Sequence, residues 1–161
     1  LVAKKLQCFD VKVIAFDLYP NEKAAAELGV TMVSREEVIT QSDIVSIHIP
    51  ATPDTYHLFN AETFATMKDG SYLVNAARGA LVDIDDLADA LLSGKIAGAA
   101  LDAYEVEPLP VESKIFKCEN IVLTPHTGAE TYEAYYNVSM NAAQDIIRVL
   151  KGEEPLFCVN R

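Results

Sequence analysis

Ala76-Ala77-Arg78-Gly79-Ala80-Leu81-Val82-Asp83 joins two segments of different periodicity. The apolar run Ser71–Asn75 before it is typical of a short buried strand, and Ile84–Leu92 after it has the spacing of an amphipathic helix. Arg78 is therefore expected at the carboxyl end of a strand, in a tight turn of Ala and Gly. Ligands of open α/β sheets bind at that edge, so Arg78 is placed to meet a small anion. For an arginine considered alone, a solvated surface position or a structural ion pair is the commoner role.

Strands and helices alternate on both sides of this turn. The predicted strands cover residues 11–16, 30–33, 43–49, 71–75, 96–101 and 121–124, and the predicted helices cover residues 22–28, 35–41, 61–67, 84–92 and 131–150. This order predicts an α/β fold with a doubly wound, Rossmann-like parallel sheet and helices over both faces. The long last helix is expected to bury one face, formed by Ala134, Val138, Ala142, Ile146 and Val149.

Composition limits the possible partners. The chain has 161 residues, of which 50% are hydrophobic and 23% charged, as in an ordinary globular domain. Its net charge of -11 argues against nucleic acid or an anionic membrane as a partner. No apolar run approaches the roughly 20 residues of a membrane span. Cys8, Cys118 and Cys158 are scattered, so we expect reduced thiols in a cytoplasmic protein and no metal site.

Polar residues stand at the carboxyl ends of five of the predicted strands. They are Asp17, His48, Arg78, Asp102 and His126. Each has an ordinary explanation by itself, but the carboxyl ends of parallel strands share one edge, which is the usual ligand crevice of this fold. Asp17 ends what would be the second strand of a mononucleotide-binding unit. An acid there suits the ribose hydroxyls and repels a 2′-phosphate, so the sequence favours NAD over NADP.

Four segments resemble the nucleotide-binding domain of the D-isomer-specific 2-hydroxyacid dehydrogenase family. We call them the cofactor loop (residues 48–55), the arginine segment (73–83), the glutamate segment (98–108) and the histidine segment (123–128). Their order and spacing agree with the family over essentially the whole chain. The resemblance implies a hydride transfer between NAD(H) and a D-2-hydroxy acid and 2-oxo acid pair. It also implies a homodimer.

The resemblance assigns a role to individual residues. Arg78 would bind the substrate carboxylate, for which a planar guanidinium is suited. His126 would be the general acid in reduction and the base in oxidation, and Glu107 would pair with it. Glu105 is the neighbouring alternative, but the acid directly before a proline is the one that matches. The cofactor cleft would be lined by Asp17, Ile49, Pro50, Thr55, Ala76, Ala77, Arg78 and Asp102.

The resemblance also suggests where the chain departs from its family. Residues 1–150 would be an NAD-binding domain truncated at its N-terminus, without the first strand and the glycine-rich loop. Residues 151–161 would be a tail that returns toward an absent substrate domain, and we expect little activity from this chain alone. Within the chain, His57 is expected to be a polar surface residue, and Cys118 is expected to be a small residue packed in the core.

Three alternatives stay open at this stage. The substrate could belong to the phosphoglycerate and glycerate branch, which the short loop 108–121 favours, or to the D-lactate and 2-hydroxyisocaproate branch, which residues 51–59 favour. The protein could instead be an NAD-sensing transcriptional corepressor that uses the same fold as a scaffold. It could also be a different dehydrogenase with coincidental motifs.

Overall fold

The structure is a computed structural model and describes residues 1–159. It divides into two compact units, Leu1–Pro125 and the residues from His126 onward. The helices are α1 Val2–Leu6, α2 Glu22–Glu27, α3 Arg35–Gln41, α4 Ala61–Thr66, α5 Ile84–Leu92 and α6 Tyr132–Leu150. The strands are β1 Ile14–Ala15, β2 Thr31–Met32, β3 Ile44–Ile47, β4 Ser71–Asn75, β5 Ile96–Leu101 and β6 Ile121–Leu123. Short 3₁₀ turns lie at Gln7–Phe9, Pro53–Thr55, Gly79–Leu81 and Lys114–Lys117.

Every strand pair in the described chain is parallel, which confirms the predicted α/β class. β1 pairs with β2, and a second sheet has the order β3-β4-β5-β6. The predicted single sheet is thus present as two separate ladders.

One face of the larger sheet forms the core. Strand-helix-strand crossovers between neighbouring parallel strands are right-handed, so α4 and α5 come to the same face. α5 packs against both α4 and β5. The largest fully buried side chains of the core cluster are Phe64, Met67, Leu73, Leu81, Leu87, Ile96 and Ile115.

The opposite face of this sheet is open in the described chain. Ile44, Tyr72 and Val122 point there and are 63%, 49% and 62% exposed. β3 accordingly alternates between exposed and buried residues.

The helix starts follow local rules that the sequence displays. Ser34 and Glu37 form a reciprocal capping box at α3, and Asn60 accepts the Thr63 amide at the start of α4. Gly29 has φ +63° directly after α2, the left-handed conformation expected at the end of a helix. These predicted boundaries are confirmed to within one or two residues.

The second unit consists of α6 and the segments that flank it. Val138, Ile146 and Val149 are 70%, 62% and 57% exposed, so the prediction of a buried face on α6 is wrong in this chain. Within the unit the tail contacts α6 through the Asp145 carboxylate, which accepts the backbone N–H groups of Leu156 and Phe157 at 2.9 Å each. Among residues 1–159, no helix combines the length and apolar character that crossing a membrane requires.

Candidate functional site

The four strands of the larger sheet end at one level. Ile47 is paired with Asn75, Asn75 with Leu101, and Leu101 with Leu123. The segments that follow these strands must therefore leave the sheet along the same edge. In the first unit these are the cofactor loop after β3, the arginine segment after β4, Asp102 after β5, and Thr124-Pro125 after β6. The predicted common edge is confirmed for these four strands.

Asn75 shapes the turn that carries Arg78. Its side chain is only 1% exposed and uses both ends of its amide. The Nδ2 group donates to the carbonyl of Arg78 at 2.9 Å, and Oδ1 accepts the amide of Ala77 at 3.0 Å. A buried amide that satisfies two backbone groups fixes the path of the turn without help from the arginine side chain.

The Arg78 guanidinium is accessible to a ligand. It is exposed, and Nη1 donates to the carbonyl of Ala77 at 2.6 Å. Within residues 1–159 no carboxylate lies at ion-pair distance from it. The structural ion pair that explains many arginines is therefore not the explanation here. A guanidinium held in this way can bind an anion in bidentate geometry.

The cofactor loop is held by its threonines. Thr55 Oγ1 donates to the carbonyl of Pro50 at 3.0 Å, and it accepts the backbone N–H of Thr52 at 2.8 Å. Ile49 is partly buried against the core, whereas Pro50 is exposed at the edge. The loop therefore presents a mixed polar and apolar surface beside the arginine segment.

Asp102 is tied to the neighbouring strands. Its backbone N–H donates to the carbonyl of Asn75 at 2.9 Å, and its Oδ1 accepts the hydroxyl of Thr124 at 2.6 Å. Tyr104 reaches the same region and donates its hydroxyl to the Thr124 carbonyl at 2.9 Å. Burial, followed by the charge of Asp102, raises the pKa of Tyr104, so it remains a donor at neutral pH.

The two acids of the glutamate segment have different surroundings. Glu107 Oε1 accepts the backbone N–H of Tyr104 at 2.9 Å. Glu105 instead accepts hydrogen bonds from the His57 ring and from the Tyr56 hydroxyl, each at 2.8 Å, and these contacts lower the pKa of Glu105. Glu105 is therefore committed to a cluster with His57 and Tyr56.

Two predicted residues belong to a different ladder or a different unit. Asp17 follows β1, whose ladder with β2 is separate from the larger sheet, and its Oδ1 accepts the amide of Tyr19 at 2.8 Å. His126 is the first residue of the second unit and has φ 56°. The first unit thus brings together Arg78, Glu107 and Asp102 with the cofactor loop, while the pairing of Glu107 with His126 stays a prediction.

His57 is the residue that sequence reasoning missed. It was expected at the surface, but its ring lies 2.8 Å from Glu105 and 3.2 Å from Asp83, and its side chain is 25% exposed. Its partners are 48 and 26 residues away in the sequence, so no local pattern connects them. Cys118, in contrast, is buried as expected, and that burial raises the pKa of its thiol. No group of side chains in the described part of the chain is arranged to hold a metal ion.

The parallel sheet and the ligand-facing residues along its carboxyl edge define a dinucleotide-binding domain. Residues 1–128 match the family model described as D-isomer specific 2-hydroxyacid dehydrogenase, NAD binding domain. The chain therefore belongs to the D-isomer-specific 2-hydroxyacid dehydrogenase family. The predictions of this family and of NAD as cofactor are confirmed.

Individual relatives agree with the family. The chain is 43% identical over 160 residues to a glyoxylate reductase of Thermofilum pendens, which covers 99% of this chain and 47% of that protein. It is 45% identical over 155 residues to a D-lactate dehydrogenase of Treponema pallidum, with 88% and 46% covered. The crystal structure of a D-lactate dehydrogenase with NAD+ from Lactobacillus jensenii superposes with a TM-score of 0.88 at 31% identity, covering 99% of this chain and 52% of that one.

These relatives bear on the open alternatives. The chain spans about half the length of the curated relatives it matches. All three relatives are named as dehydrogenases or reductases, so they give no support to the corepressor alternative. The family match excludes a different dehydrogenase with coincidental motifs. The relatives fall in more than one substrate branch, and the choice between branches stays open.

Proposed function

We propose that the protein carrying this chain transfers a hydride between NAD(H) and a D-2-hydroxy acid and 2-oxo acid pair. The observation that supports this most directly is the Arg78 guanidinium, exposed at the carboxyl edge of the sheet and without a carboxylate partner within residues 1–159. In the proposal it binds the substrate carboxylate and polarises the adjacent carbonyl. The relatives support the reaction class, and the substrate is a small acid of either branch.

The proposed dinucleotide site combines the carboxyl edge of the larger sheet with Asp17, which follows β1. Ala76 and Ala77 carry only methyl groups, so a ligand can approach the backbone closely there. In the proposal Asp17, Ile49, Pro50, Thr55 and Asp102, together with the arginine segment, hold NAD, and the exposed carboxylate of Asp17 accepts the ribose hydroxyls. NAD supplies the hydride chemistry when bound.

Proton transfer is assigned to the histidine segment. In the proposal His126 donates a proton from its ring to the substrate oxygen during reduction and takes it back during oxidation. Glu107 orients the ring in this proposal. Arg78, Glu107 and His126 are thus the proposed catalytic residues.

Two further properties complete the proposal. We infer a homodimer, as the family resemblance suggests, and a cytoplasmic location, which the scattered cysteines favour. The net charge of -11 supports small acids and a second subunit as partners rather than nucleic acid or membrane. Sedimentation equilibrium of the full-length protein checks the dimer, and a monomer at micromolar concentration would contradict it.

The proposed function is tested by substituting Arg78 in the full-length protein. Wild type should oxidise NADH, followed at the reduced-nicotinamide absorbance band, with at least one member of a panel of 2-oxo acids. Arg78→Lys should raise the KM for that acid roughly tenfold, because an ammonium cannot form the bidentate contact, while the KM for NADH changes little. Arg35→Lys, on the exposed side of α3, is the matched control. Tight NADH binding with no turnover of any acid would contradict the proposal.

A further inference from the structure

His57 lies between two carboxylates. Its Nε2 is 2.8 Å from Oε2 of Glu105, and its Nδ1 is 3.2 Å from Oδ2 of Asp83. A neutral imidazole has a single N–H and can donate to only one of them, whereas the imidazolium donates to both. We propose that His57 is held as an imidazolium between Glu105 and Asp83 and is a positioning residue that keeps Arg78 and Glu107 in place. The positioning role rests on the proposed function, but the charge state of His57 does not.

Each carboxylate keeps one oxygen for His57 and uses the other elsewhere. Asp83 Oδ1 accepts two backbone N–H groups in the first turn of α5, both at 3.1 Å. Glu105 Oε1 accepts the hydroxyl of Tyr56 at 2.8 Å. The rings of Tyr56 and His57 stack with centroids 4.0 Å apart and planes inclined by 13°. The histidine is therefore enclosed on two edges and one face.

The backbone of His57 is tied to the arginine segment. Residues 57–59 run beside residues 80–83, and three backbone hydrogen bonds of 2.8, 2.9 and 3.0 Å join them. His57 also has φ 46°, in the left-handed region that residues with side chains seldom adopt. Surrounding contacts have to maintain such a conformation. The ring and backbone contacts of His57 maintain it. The backbone contacts are made with residues two to five positions beyond Arg78.

Glu105 connects the cluster to Glu107. A Cβ added at Gly79 would lie 1.9 Å from the carbonyl carbon of Tyr104 and 2.2 Å from the nitrogen of Glu105, so the two segments cross in direct contact there. The backbone N–H of Tyr104 donates to Glu107 at 2.9 Å. When His57 holds Glu105 in place, the backbone N–H of Tyr104 that donates to Glu107 is held as well. This contact lies next to Gly79, the residue that follows Arg78.

The electrostatics of the cluster favour the charged ring. The titratable groups that face His57 are Asp83 and Glu105 from the neighbouring segments and Tyr56 from its own. The hydrogen bond from His57, followed by that from Tyr56, lowers the pKa of Glu105 and keeps it ionised. The Glu105 carboxylate raises the pKa of Tyr56, which stays neutral. With the proton on His57 the cluster has a formal charge of -1, and without it two carboxylates would face one neutral ring.

The charge state is tested by NMR of the full-length protein with ¹⁵N-labelled histidine. His57→Gln assigns the signal by its disappearance. Both ring nitrogens should show the shifts of imidazolium at neutral pH, and Glu105→Gln should weaken that pattern, because it removes one of the two facing charges. Glu62→Gln, exposed in α4, is the matched control and should leave the pattern unchanged. A neutral ring pattern for His57 at neutral pH would overturn the proposal.

The positioning role is tested by kinetics on the same protein. His57→Gln should lower kcat for 2-oxo acid reduction about fivefold to tenfold and change the KM for NADH less than about twofold. Glu105→Gln keeps a hydrogen-bond acceptor for Tyr56 and should reproduce the loss if His57→Gln does not fold. An unchanged kcat would overturn the positioning role while the proposed function stands. A wild type that reduces no 2-oxo acid would overturn both, and the imidazolium would then rest on the NMR result alone.

Discussion

At the scale of single residues, Asn75 explains why Arg78 is available. The amide of Asn75 donates to one backbone group of the turn and accepts from another, so both are satisfied internally. The arginine side chain is then not required to stabilise its own loop. Gly79 serves the same arrangement from the other side, because any side chain there would collide with the backbone of residues 104–105. The Arg78 cation therefore lies in a turn whose shape is fixed by two neutral residues, Asn75 and Gly79.

The role of Asn75 gives a stability prediction with an internal control. Asn75→Ala should lower the free energy of unfolding by about 2 kcal/mol, because two backbone groups lose their partners in a buried setting. Ser71→Ala, on the same strand, should change it by no more than about 0.5 kcal/mol, since the buried Ser71 hydroxyl has no partner within residues 1–159. Urea unfolding of both variants measures the difference. Equal losses would show that the turn does not depend on the Asn75 amide.

At the scale of elements, α5 links the fold to the candidate site. Asp83 precedes the helix and accepts two of its first amides, while its other oxygen faces His57. Leu87 and Leu91 on the inner side of α5 are buried in the core. The helix therefore anchors the end of the arginine segment, and one carboxylate serves both as a helix cap and as a partner of the histidine.

The two roles of Asp83 can be separated by substitution. Asp83→Ala removes the cap and the contact with His57, and it should lower the free energy of unfolding by about 1 kcal/mol or somewhat more. Asp83→Ser retains a capping oxygen but no charge, so it should recover most of that loss. Urea unfolding at neutral pH compares the two. If the serine variant were as unstable as the alanine variant, the contact with His57 rather than the cap would account for the effect.

At the scale of the whole molecule, the features that could be predicted were the local ones. Alternating hydrophobicity located the strands, capping residues located the helix starts, and strand direction then placed Arg78 and Asp102 at one edge. The cluster around His57 could not be predicted, because its three segments meet only after the sheet has formed. The open faces of the larger sheet and of α6 were missed for a related reason, since an apolar pattern marks a face that can be buried but does not identify the element that covers it.

The acidic composition determines how the molecule responds to pH. The pKa values of three exposed carboxyl groups are lowered by hydrogen bonds, from Ser34 to Glu37, from Lys95 to Asp69 and from His57 to Glu105. A lowered pKa in the folded state means that the stabilisation is fully present above the ordinary value, 4.5 for Glu and 3.8 for Asp, and is lost as pH falls through the folded value. The free energy of unfolding should therefore decrease on acidification below about pH 4.5.

Glu105 should account for a distinct part of that decrease. Glu105→Gln cannot ionise, so the variant should be less stable than wild type at neutral pH, and the difference should shrink as pH falls and Glu105 of the wild type becomes protonated. Glu62→Gln, exposed in α4, is the matched control and should run parallel to wild type across the range. Urea unfolding of the three proteins between neutral pH and about pH 3 measures the curves. If the free energies of unfolding of Glu105→Gln and wild type differed by the same amount at every pH, Glu105 would act through packing rather than charge. Only an ionisable group that is stabilised in the folded state makes this difference depend on pH.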